Sequence, residues 1–148
     1  MHSESIFIHE TITTMNKETI LDQDHSTVWY YPDEKIVHHQ FKGPINGETF
    51  QTTLNTSAEI FEAYRCQKYL SDDRLNTSVD QADIQWAISE WNPRVFANGW
   101  KYWAIVMANK KAVDSSMERV IEAYKKINLT IELFEDPEEA LQWLTTKN

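Results

Sequence analysis

The stretch KYWAIVMA, residues 101–108, limits the fold more than any other part of this chain. From Trp103 to Ala108 it is apolar at every position, without the alternation of a half-exposed strand. It is too short for a buried helix and too long for a turn. Such a run reads as a strand covered on both faces, the mark of a parallel sheet inside a layered α/β domain.

The flanking sequence supplies the layers. Residues 28–31 and 36–41 are β-branched and aromatic, and Pro32-Asp33-Glu34-Lys35 between them has turn chemistry, which predicts a β-hairpin. In its second strand Val37, His39 and Phe41 share one face, and Ile36, His38 and Gln40 the other. After Gly43-Pro44, Asn46 can cap a helix over 47–65 with Phe50, Leu54, Ala58 and Phe61 as its apolar stripe. Residues 68–72 form a short strand. Ser78-x-x-Gln81 reads as a capping box for a helix bearing Ile84, Ile88, Trp91 and Val95. Pro93 predicts a kink there, or two consecutive helices, and Asn98-Gly99 a left-handed end. Ser115-x-x-Glu118 reads as a second capping box, before the stripe Met117, Val120, Ile121, Tyr124 and Ile127. A strand over 130–134 follows. Asp136-Pro137 then caps and opens a last helix docked by Ala140, Leu141 and Leu144, with Trp143 beside them.

The order is β-β-α-β-α-β-α-β-α: an α/β fold with a mostly parallel sheet, an antiparallel first strand at or near its edge, and helices packed on it. Residues 26–148 read as one domain. Residues 1–25 are polar and weakly patterned, an N-terminal extension with either a short strand near Ile6 and Ile8 or frayed structure.

Composition removes several function classes. A net charge of −9 with no basic cluster longer than a pair such as Lys110-Lys111 argues against nucleic acid and against simple attraction to anionic lipid. A single cysteine, Cys66, rules out an intramolecular disulfide and a multi-cysteine zinc site; a small buried hydrophobe is its simplest role. No apolar run nears the roughly 20 residues of a membrane span, and the N-terminus lacks the basic and apolar regions of a signal peptide, so a cytoplasmic location is expected. His38 and His39 point to opposite faces and cannot chelate one metal together. Neither a Gly-rich phosphate loop nor a Gly-x-Ser-x-Gly elbow is present. No cofactor, no metal and no catalytic residue is therefore assigned.

From about Trp29 to Leu144 the chain resembles the STAS-like fold, specifically its SpoIIAA-like, Sec14-related bacterial branch. The resemblance is carried by YYPDEKIVHHQFKGPINGE, KYLSDD, QWAISEWNPRVFANGWKYWAIVM and LFEDPEEALQWL. It implies a small cytoplasmic binding or regulatory module, many such proteins having no assigned function. Sporulation relatives carry an Asp-Ser-Ser-Gly stretch whose serine is phosphorylated. The corresponding residues here are Thr77-Ser78-Val79-Asp80-Gln81, which lack that pattern and argue against partner switching by phosphorylation. Ser78 is the nearest hydroxyl, and helix capping is its plainer role.

Ligands in open α/β sheets bind beyond the carboxyl ends of the strands, where Asp72, Asp73 and Arg74 fall. Asp72 could bond a ligand or simply stabilise its own turn, with Asp73 and Arg74 as a solvated pair. Adjacent Asp72 and Asp73 would splay apart. Trp86 lies off the helical stripe and Trp100 just past the helix end; together they mark either a pocket or an interface, or else core. The candidate pocket is Asp72, Asp73, Arg74, Ser78, Trp86 and Trp100. The expectation is a non-enzymatic module binding a protein partner, a second copy of itself in a homodimer, or a small apolar ligand. The alternative is a small enzyme with a pocket around Asp72.

Overall fold

In the computed structural model, which describes residues 15–76 and 79–148, the expected hairpin pairs β2 (Ser26–Tyr31) with β3 (Ile36–Phe41), Tyr31 opposite Ile36 and Ser26 opposite Phe41. Lys35 takes a left-handed φ of 56° to close the turn. One strand precedes the hairpin. β1 (Glu18–Asp22) pairs antiparallel with β2, so the sheet starts inside the segment read as an extension. Its sequence, ETILD, has almost no buried side chain. An edge strand needs only backbone pairing on one side, which leaves little apolar pattern to read. Ile6 and Ile8 lie outside the described residues.

β3 is followed by α1 (Gly47–Tyr64), β4 (Lys68–Asp72), a helical stretch, β5 (Tyr102–Val106), α4 (Ser115–Lys125), β6 (Thr130–Phe134) and α5 (Pro137–Thr145). The helical stretch between β4 and β5 is α2 (Gln81–Trp86), a π turn (Ala87–Trp91) and α3 (Asn92–Ala97). The strands stand side by side in chain order, β3 to β6 parallel. β5 is interior, between β4 and β6, as its unbroken apolar run requires.

Pro93 sets the π turn. A proline inside a helix loses one hydrogen bond and its ring clashes with the carbonyl four residues back. Widening the preceding turn, with Asn92 N–H reaching back to Ala87 O, puts Pro93 in the first turn of α3, where that bond is not needed. The two consecutive helices expected around Pro93 are α2 and α3, joined by the π turn. Gly99, at φ 106°, then reverses it; a Cβ there would sit 3.2 Å from Cys66 O. Trp100 N–H bonds Val95 O, which folds the Trp100 ring back under α3.

Each parallel step runs in the same direction across the sheet, so successive crossover helices fall on one face. α1, the α2–α3 stretch and α4 accordingly bury one large cluster, including Phe50, Leu54, Phe61, Trp91, Val95 and Ile121, against Val28, Val37, Tyr69 and Ile105. The opposite face carries a smaller cluster, Tyr31, Ile36, Leu70, Ala104 and Val106, covered by Ala140 and Leu144 of α5. α5 packs chiefly on β4, β5 and β6. On β2 and β3 its cluster takes in Tyr31 and Ile36, and the rest of this face has no helix over it among the described residues.

Candidate functional site

That uncovered corner is a cleft of about 290 Å³. Its floor is Trp29 and Tyr31 of β2 with His38 and Gln40 of β3, brought together because alternate residues of paired strands share a face. Met15 and Lys17 form one wall; Pro137, Glu138 and Leu141 of α5 form the other. Asp72 and Arg74, at the carboxyl end of β4, close one end.

His38 is buried at 6% exposure and touches two aromatic rings: Tyr31, stacked at 5.9 Å, and Trp29, tilted at 4.6 Å. Its Nδ1 lies 3.0 Å from the Tyr31 hydroxyl, and its Nε2 is buried without a hydrogen-bond partner. Burial holds the imidazole neutral, pushing its pKa down to about 3 although the Asp72 carboxylate pulls the other way. Burial likewise raises the Tyr31 phenol to about 12. The Tyr31 proton therefore stays on oxygen and needs an acceptor. Donation to His38 Nδ1 satisfies it and leaves Nε2–H as the single unpaired group. The opposite tautomer would strand both the phenol proton and the Nε2 lone pair.

Asp72 is 1% exposed and fully engaged. Its Oδ1 accepts from Arg74 N–H at 3.2 Å and Arg74 Nε at 3.0 Å; its Oδ2 accepts from Arg74 Nη2 at 2.8 Å and Gln40 Nε2 at 3.3 Å. The bond to Asp72 holds the Arg74 guanidinium above its already high pKa. Lys17 Nζ stands 4.8 Å from the Trp29 ring centroid, a cation–π contact, and has no carboxylate partner among the described residues.

The residues proposed from sequence divide between the two faces. Asp72 and Arg74 line the cleft. Asp73 turns the other way, its backbone N–H extending the β4–β5 pairing to Val106 O at 2.7 Å and its carboxylate 3.8 Å from His39 Nε2. Trp86 and Trp100 do not line the cleft. Trp100 is 5% exposed, packed against Tyr69, Trp91, Phe96 and Trp103; the Gly99 reversal, not seen in the helical spacing, turns its ring inward. Trp86 is half-buried with its ring near Phe50, on the helix-covered face. Ser78 lies outside the described residues. Cys66 is fully buried, and burial pushes its thiol up to about 11. Sequence reasoning missed Trp29, Tyr31, His38 and Lys17 as lining residues. The readable signal was the helix count: three crossovers on one face leave a single C-terminal helix for the other.

The helix-covered face holds a buried polar chain of its own. His39 Nδ1 bonds the Tyr69 hydroxyl, which lies 3.3 Å from Ser57 Oγ; Ser57 bonds Thr53 O at 3.0 Å. Tyr69 is 2% exposed, so this chain pairs buried polar atoms within the core; His39 Nε2 is left buried without a hydrogen bond, 3.8 Å from the Asp73 carboxylate, and does not line the cleft.

No family model matches the chain, and no curated protein matches it. A solved structure does: an uncharacterized protein of the DUF3478 family from Shewanella loihica PV-4, described as having a SpoIIAA-like fold, at 14% identity. The match covers 87% of this chain and 92% of that one, with a TM-score of 0.51. The fold is SpoIIAA-like. At this identity the likeness extends to the fold alone. Among the described residues no helix is long and apolar enough to cross a membrane, and no three His, Cys, Asp or Glu side chains lie together as metal ligands would.

Proposed function

We propose that this SpoIIAA-like chain is a non-enzymatic, cytoplasmic binding or regulatory module whose ligand site is the cleft over β2 and β3. One observation carries the reading: the unpartnered, buried Nε2 of His38 in an aromatic floor. A buried polar group without a partner costs about 1–3 kcal/mol, which a ligand hydrogen bond recovers. The rest of the cleft mixes apolar surface from Met15, Trp29, Pro137 and Leu141 with polar groups from Lys17, Gln40 and Glu138, so a ligand there would meet both. The enzymatic alternative around Asp72 is disfavoured by chemistry. Both carboxylate oxygens are occupied, and a neutral imidazole with a pKa near 3 is a poor proton acceptor at neutral pH.

A protein partner in the form of a second copy of the chain has separate support. Among the described residues β1 is an edge strand, with Ile20 exposed at 44%, and an edge strand is a place for strand pairing. Native mass spectrometry of protein taken from its host tests both readings at once. A bound small molecule lost in the Trp29→Ala variant is the expected result for the cleft, and a two-subunit mass for the edge. A ligand-free monomer in every preparation would overturn the proposal.

A further inference from the structure

The chemistry of the cleft narrows its ligand. We infer that it takes a flat aromatic carboxylate of one ring or two fused rings, its ring against Trp29 and a carboxylate oxygen accepting from His38 Nε2–H near Lys17. This rests on the proposal that the cleft is the ligand site.

Three features of the cleft lead there. The first is polarity. Tyr31 occupies Nδ1, so His38 presents a donor, and its partner must be an acceptor. Because the imidazole is neutral, it contributes a hydrogen bond and no charge. The second is charge. Arg74 is spent on Asp72, whereas Lys17 meets only the face of Trp29 among the described residues; Glu138 on the α5 wall is the opposing charge, so the anion belongs at the Lys17 side of the cleft. An acceptor that is also an anion pairs with that ammonium, and charge-assisted hydrogen bonds are about twice as strong as neutral ones. The third is shape and size. Trp29 and Met15 offer an apolar surface suited to a ring, and about 290 Å³ is at the small end of ligand sites. Nε2 is itself buried, so seating the carboxylate requires a rotamer change, which the long, exposed side chain of Lys17 allows while Arg74 stays on Asp72.

The test uses the full chain and three probes with one ring system: indole-3-acetate, indole-3-acetamide and tryptamine. Binding is read by calorimetry and by the ¹⁵N shift of His38 Nε2. Indole-3-acetate should bind about tenfold tighter than tryptamine and move the Nε2 signal. His38→Phe, which keeps a flat ring and removes the donor, should weaken it about tenfold, and Lys17→Gln several-fold. A cooperative thermal transition in His38→Phe shows that it folds. Should it not fold, Lys17→Gln and the Nε2 shift decide alone. Equal binding of all three probes, or tightest binding of tryptamine, overturns the carboxylate assignment and leaves the cleft as a ligand site. If no probe disturbs His38 or Trp29 while a non-aromatic molecule copurifies in the cleft, the aromatic assignment also fails. No probe and no copurified molecule overturns the cleft reading itself.

Discussion

Asp72 and Arg74 form an unequal pair. The carboxylate is buried, whereas the guanidinium side chain is 36% exposed and can hydrate alone. Removing Arg74 strands a buried charge; neutralising Asp72 strands no charge and gives up only the hydrogen bonds at one of its two oxygens. Arg74→Ala should cost about 2–3 kcal/mol of stability and Asp72→Asn about 1 kcal/mol or less, measured by urea unfolding at neutral pH. Equal costs would mean that the pair is solvated. His38 makes a second residue-scale prediction. Its folded pKa, near 3, lies below the ordinary value of 6.5, so between those values the unfolded chain binds the extra proton. Its contribution is intact above pH 6.5 and is lost as pH falls toward 3, by up to about 1.4 kcal/mol per pH unit. Urea titrations from pH 7.5 to 4.5 should show this slope in the parent chain and lose that part of it in His38→Phe. Parallel slopes in the two would place His38 in water.

At the scale of elements, helix starts show where sequence signals compete. Ser115-x-x-Glu118 has capping-box spacing, yet the cap is Asp114, whose Oδ1 accepts Met117 N–H at 2.8 Å, and Ser115 is the first helical residue. Two good capping residues stood side by side, and local spacing cannot choose between them. Asp114→Ala should therefore cost about 1 kcal/mol and Ser115→Ala less than about 0.5, by thermal unfolding. The reverse order would restore Ser115 as the cap. Asp136, by contrast, had Pro137 beside it to fix the register, and it does cap α5, Oδ1 accepting Glu138 N–H at 3.1 Å. Asn46 sits at the start of α1 without a side-chain cap bond; Gly47 N–H instead donates to Asp83 Oδ2 at 2.8 Å, a contact spanning two helices. Long-range substitutions of this kind leave no local trace. β5 was legible for the opposite reason: cover on both faces leaves no polar residue in the strand, with Ala104, Ile105 and Val106 buried and Tyr102 and Trp103 partly so.

For the whole molecule, the strand order explains why a cleft exists. Six strands in sequence order, the last four parallel, send every crossover helix to one side. The other side depends on α5, which packs chiefly on β4, β5 and β6. Asp72 was readable as a strand-end residue, but the cleft beside it belongs to this unequal coverage and not to any motif. The same asymmetry makes α5 a point of weakness. Leu144 is fully buried and anchors α5 with Ala140, and no second helix stands behind it among the described residues. Leu144→Ala should destabilise the fold by about 2–5 kcal/mol. Because the helix-covered face is untouched, the loss should be uneven. Hydrogen exchange should quicken most at amides of α5 and at the adjoining β5–β6 pairing, while α1 and the β2–β3 hairpin keep more of their protection. Uniform acceleration across the sheet would show instead that both faces unfold as one unit, with α5 integral to the core it covers.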